Sequence, residues 1–117
     1  MLICIMLSIR SLAFGIGISV IAYAATASAQ DAIQTGQKVY TSQKCSVCHS
    51  IGGTGNKKGP LDGIGAKLSA DQIRQWITNA PDMTAKANAT RKPAMKAYML
   101  PKEELDGLVA YLASLKQ

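Results

Sequence analysis

The side chains best suited to chemistry lie in five consecutive residues, Cys45-Ser46-Val47-Cys48-His49. Two thiols three positions apart beside an imidazole suggest four kinds of site. A structural zinc site needs four ligands, and beyond residue 29 the chain offers only Cys45, Cys48 and His49 as Cys/His donors. A redox dithiol of the thioredoxin type sits in a βαβ setting, for which the sequence shows no pattern. A disulfide across two residues would be strained and would close too small a loop to stabilise much. The fourth possibility is covalent attachment, in which each thiol adds to one vinyl group of a porphyrin and the adjacent imidazole binds its iron. Cys-x-x-Cys-His is the attachment pattern of c-type haem, and the adjacent His49 favours it over the other three.

The opposite face of the iron needs a second ligand. His49 is the one histidine in the chain, so a second imidazole could come only from another molecule. Met83, Met95 and Met99 remain, and a thioether at this position raises the haem's potential and closes the site to small ligands. Each methionine could instead fill a gap in the core. Met95 is the expected ligand, because it follows Pro93 in a constrained loop and shortly precedes the last helix; Met99 is the alternative.

Other elements must hold these groups, and 117 residues leave room for one domain. From Leu12 to Ala25 no residue is charged, and Ala27-Ser28-Ala29 is a small-x-small cleavage pattern. An apolar run of about 14 residues suits a secretory signal and falls short of the roughly 18–20 that span a bilayer. Residues 1–29 therefore read as a signal peptide, for which a start at Met6 gives a more ordinary n-region, with an uncleaved anchor as the rival. The exported part, residues 30–117, is expected in the periplasm. It carries 12 Lys/Arg against 7 Asp/Glu, a net charge of +5, and its aromatics are Tyr40, Trp76, Tyr98 and Tyr111. That charge favours acidic partners and is too evenly spread to argue for nucleic acid. So few large side chains in 88 residues make a thin core. A porphyrin would supply the missing apolar area, and the chain without it should be largely unfolded.

The expected fold is all-α, with three to four short helices around one haem. Asp31 caps a helix over about 32–41, with Ile33, Gly36, Val39 and Tyr40 on one face. Residues 41–68 are rich in glycine and read as an irregular loop; Gly-x-x-x-x-Gly-Lys-Ser/Thr is absent, so phosphate binding is not expected. Ser69-Ala70-Asp71-Gln72 is a capping box for a helix of about 70–79, ended by Pro81, with loop over 81–99. The last helix has Pro101 in its first turn, Glu103, Glu104 and Asp106 near its positive end, and Lys116 in its last turn. Gly107 inside that helix implies close approach by another backbone. No period-2 run is long enough for a sheet.

Together these features resemble the class I monohaem cytochromes c over the whole of residues 30–117. Gly36 and Tyr40 are similar to the family's Gly-x-x-x-aromatic pair, which crosses a C-terminal helix carrying Leu and Tyr, here Leu108 and Tyr111. Gly59-Pro60-Leu61 is similar to a Gly-Pro-Leu loop whose proline carbonyl accepts a hydrogen bond from the axial histidine. The resemblance thus implies that Pro60 orients His49 and raises its basicity. Trp76 resembles an aromatic near a haem propionate, with plain core packing as its other reading. Pro93-Ala94-Met95-Lys96-Ala97-Tyr98 looks like the ligand loop Met-Pro-Ala-Phe/Tyr, although Lys96 stands where proline is common and Pro101 replaces the usual Ser cap. The first departure keeps Met99 open as the ligand.

The function implied is electron transfer by a soluble, monomeric periplasmic carrier with one covalent haem c, its iron held by His49 and Met95. It would not be an enzyme. Lys57, Lys58, Lys92 and Lys96 are expected around the exposed haem edge, where they would steer acidic redox partners. They could equally be a solvated face. The alternatives are a subunit tied to a membrane respiratory complex, or a haem enzyme or gas sensor with an open sixth site.

Overall fold

In the computed structural model the backbone is described from Ser19 and side chains from Ser28, both to Gln117. Most of the expected signal segment therefore lies outside the described residues. Helix α1 spans Ser19–Ser42. The expected start near residue 32 is thus too late, and Asp31 lies inside the helix rather than at its cap. No glycine or proline interrupts residues 19–35, so nothing in the chain ends the helix there. Among the described residues no helix is long and apolar enough to cross a membrane.

Past α1 the chain turns through Lys44 at φ 56° into a 3₁₀ turn over Cys45–Val47. A two-residue ribbon follows, β1 (Ser50–Ile51) against β2 (Thr54–Gly55), where a plain loop is expected. Gly52 and Gly53 link the strands at φ 59° and 78°, the positive values that a tight hairpin turn requires at both positions. Helix α2 (Ile64–Lys67) is a single turn, followed by α3 (Ala70–Thr78). The capping box forms as expected: Gln72 N donates to Ser69 Oγ at 3.2 Å and Ser69 N to Gln72 Oε1 at 2.9 Å. Pro81 does not end this helix. It lies in the first turn of α4 (Ala80–Lys86), where its missing N–H is no loss, and the break comes earlier, at Asn79. The loop expected over 81–99 is therefore helical in its first third. Helix α5 spans Lys102–Ser114, with Pro101 preceding it as the cap rather than within its first turn. Lys116 lies beyond the last turn and donates from Nζ to Gly65 O at 2.7 Å.

The core forms where α1 and α3 pack on α5. Val39, Ile73, Ile77, Leu108, Val109 and Leu112 are buried together, with Tyr40, Leu61, Tyr98, Leu105, Tyr111 and Leu115 among the half-buried residues around them. Helices α1 and α5 cross at glycines on both sides. A Cβ on Gly36 would strike Gly107 O and stand 2.5 Å from Tyr111 Cβ, and one on Gly107 would stand 2.8 Å from Thr35 Cγ2. The Tyr40 and Tyr111 rings close the crossing edge to face, with centroids 6.0 Å apart. The close approach expected at Gly107 is thus the central contact of the fold. Arg74 on α3 reaches Asp106 on α5 at 2.7 Å, and Lys102 bonds the other carboxylate oxygen of Asp106.

Gly36→Ala is expected to destabilise the protein by about 1–3 kcal/mol, as overpacking of an interior does, read as a lower denaturant midpoint at constant slope. At Gly53 a Cβ meets nothing within 4 Å and only the positive φ resists it, so Gly53→Ala should cost about 1 kcal/mol. Equal losses would show that the crossing tolerates a methyl group. The hydrogen bonds from Lys102 and Arg74 hold the Asp106 carboxyl below its ordinary value of 3.8. A depressed carboxyl stabilises the fold above its unfolded-state value, and that contribution fades as pH falls through the folded value. Asp106→Asn should therefore be less stable than the parent at pH 7, with the gap in melting temperature closing below about pH 4.

Candidate functional site

Cys45, Cys48 and His49 are brought together by the 3₁₀ turn. Cys48 N and His49 N both donate to Cys45 O, at 3.1 and 2.9 Å. The two cysteines are unbridged and half-buried, and burial pushes the Cys45 thiol above its ordinary range, so it is held as a neutral thiol. Val47 between them is 67% exposed, unusual for its type.

Asn56 ties this segment to the chain beyond it. Its N–H donates to Ser46 O and His49 O at 3.1 and 2.9 Å, its Nδ2 to Val47 O at 3.1 Å, and its Oδ1 accepts from Lys58 N at 3.0 Å. Gly55 permits this closeness, because a Cβ there would strike His49 O. Tyr40 Oη adds a long contact of 3.5 Å to the same His49 carbonyl, so the motif is referred back to α1.

His49 Nδ1 lies 3.0 Å from Gly59 O. A carbonyl only accepts, so Nδ1 carries the proton and donates, which leaves the Nε2 lone pair for a metal. Burial lowers the protonation of His49, the Gly59 bond opposes that shift, and the Arg91 guanidinium adds to it. The net shift favours the neutral ring, the form that ligates iron.

The acceptor is Gly59, where Pro60 is expected from the sequence. Ser50 N donates to Gly59 O at 3.1 Å and Leu61 N to Ser50 O at 2.8 Å, a register that turns the Gly59 carbonyl toward the ring. Pro60 itself is exposed beside that bridge. Trp76 is half-buried on α3, and the hydrogen bonds of the site do not reach it. Met95 is half-buried in the segment before α5, whereas Met99 is fully exposed at 101%. That segment is pinned to α3 by Tyr98 N, which donates to Ile77 O at 2.8 Å. Lys96 Nζ stands 5.1 Å from the centre of the Tyr98 ring.

The roles of Asn56, Gly59 and Arg91 emerge only from the structure. Asn56 acts through both its backbone N–H and its side-chain amide, and Gly59 through its carbonyl and its lack of a side chain, but neither lies in a pattern that marks the partners it meets. Arg91 belongs to a basic run from which only Lys92 stands out in sequence. It packs so that its Nη1 occupies the place where a Gly59 side chain would stand, and it lines a groove of about 500 Å³ with Val47, Cys48, Lys58 and Lys92.

The donor set fits a covalently held haem. Two half-buried thiols stand beside an imidazole with a fixed tautomer, and among the described residues no large side chain is fully buried. An interior so thin has need of an apolar group. Residues 33–116 match the family model described as Cytochrome c, and no curated protein or solved structure matches the chain. Proteins of that family hold haem c and its iron covalently, and Cys45-x-x-Cys48-His49 stands at the attachment position. From the helical fold, the attachment motif and the family match, this chain belongs to the cytochrome c family as a class I c-type cytochrome, with haem-based electron transfer as its role.

Proposed function

We propose that the chain is a monomeric periplasmic carrier that moves one electron at a time on a single haem c with His49 and Met95 as axial ligands, and that it is not an enzyme. When bound, the haem supplies a one-electron Fe(II)/Fe(III) couple. The observation that carries the reading is the contrast between the two candidate methionines. Met95 is half-buried in a segment pinned to α3, whereas Met99 points wholly into solvent.

Each residue has a defined task. Cys45 and Cys48 would hold the porphyrin covalently through thioethers, so its placement would not depend on the strength of the iron–ligand bonds. His49 presents Nε2, and Gly59 O holds its ring against rotation. Met95 would give the iron a thioether as its second protein ligand, which would exclude small ligands and favour the reduced state. Ligands kept in both oxidation states leave little to reorganise during transfer.

The apolar run and the Ala27-Ser28-Ala29 site in the sequence support export. Partners with acidic docking surfaces suit the net charge of the exported part and the exposed Lys57, Lys58 and Lys92. The attachment motif occurs once in the chain, which supports a single haem.

Carbon monoxide tests the axial assignment. The reduced parent should show no spectral change with the gas, and the oxidised parent should show a Met–Fe(III) charge-transfer band. Met95→Ala should lose the band and bind carbon monoxide, while Met99→Ala should behave as the parent. Ready binding by the parent would overturn the carrier reading, and a reversed pattern would make Met99 the ligand. Mass spectrometry of the exported protein should find Gln30 as its first residue. An intact N-terminus would favour a membrane-anchored subunit instead.

A further inference from the structure

The guanidinium of Arg91 sits against the backbone unit that orients His49. Its Nη1 occupies the space of a Gly59 side chain, beside Cys48 O, and Gly59 O is the acceptor for His49 Nδ1 at 3.0 Å. A residue with any side chain at position 59 would push the guanidinium away. Among the described residues no carboxylate lies within ion-pair distance of Arg91, whereas Arg74, Lys86 and Lys102 all have acidic partners. The groove it lines contains Lys58 and Lys92 and no carboxylate. Its charge therefore acts unneutralised on the histidine side of the site.

We propose that Arg91 is a positioning residue that raises the reduction potential of the haem iron by holding a fixed positive charge against the Gly59–His49 hydrogen bond. Two effects act in the same direction. Oxidation adds a positive charge to the iron, and a nearby cation opposes that change; Arg91 is exposed, so solvent screens part of this effect. A cation beside the Gly59 unit also draws electron density from the carbonyl that accepts from Nδ1. A weaker acceptor makes the imidazole less basic, so it stabilises the ferric state less. Lys92 lines the same groove but does not occupy the Gly59 position, so its charge is felt less.

The inference rests on ligation by His49, as proposed above, and is tested on the haem-loaded protein by redox titration followed through visible absorption. At one fixed solution potential, the reduced-to-oxidised ratio of Arg91→Gln should fall about three- to tenfold below the parent. That equals a drop of about 30–60 mV for a one-electron couple. Arg91→Lys and Lys92→Gln should stay within about twofold of the parent. Arg91→Met keeps the packing of the stem while removing the charge, and it should repeat the fall if Arg91→Gln loads haem poorly. An unchanged ratio in the neutral variants overturns the proposal, and so does an equal fall in Lys92→Gln. Carbon monoxide binding by the parent would reject Met95 as ligand without moving this comparison. A parent closed to carbon monoxide, with an unmoved ratio, would reject Arg91 alone.

Discussion

The crossing of α1 and α5 is the constraint on which the rest of the protein depends. Two backbones meet there without side chains between them, at Gly36 and Gly107, and the Tyr40–Tyr111 pair seals the contact. Glycine in a helix interior costs roughly 1 kcal/mol against alanine, a cost justified only where another chain segment must come close. The approach sets the end of α1, and the end of α1 sets the origin of the 3₁₀ turn with the two thiols. Tyr40 joins the two levels directly, packing its ring on α5 and reaching the His49 carbonyl with its hydroxyl.

Beyond that turn the site is held by backbone groups. Asn56 gathers the carbonyls of Ser46, Val47 and His49, and the short bridge of Ser50 to the Gly59–Leu61 segment turns one carbonyl toward the imidazole. Such a design suits a redox centre. Main-chain acceptors do not titrate and change rotamer only with the whole loop, so the ring keeps its tautomer while the iron changes charge. The charged side chains near the site act from outside this frame.

Much of the architecture is legible from residue types. Ser69 and Gln72 announce the start of α3 because a capping box satisfies two helix-end donors within four residues. Gly107 signals the crossing because nothing else explains glycine at mid-helix. The errors also have physical causes. Pro81 serves equally as a helix stop or a first-turn residue, and only the preceding backbone at Asn79 decides between them. The ribbon at Ser50–Gly55 is too short to leave a period-2 pattern. The helix α1 extends past Asp31 because an acceptable cap does not end a helix that its neighbours continue.

Sequence alone determined the chemistry of attachment and the family of the chain. Thioether formation needs two thiols and an adjacent imidazole, and those are matters of residue type and spacing along a covalent chain. Tertiary structure decided which carbonyl holds His49, which methionine is half-buried and which cation stands beside the site. Gly59 rather than Pro60, half-buried Met95 beside exposed Met99, and Arg91 from its basic run all follow from contacts between residues far apart in sequence. Neither residue identity nor local periodicity encodes such contacts singly, because each depends on where the α1–α5 crossing and the loop register place the backbone.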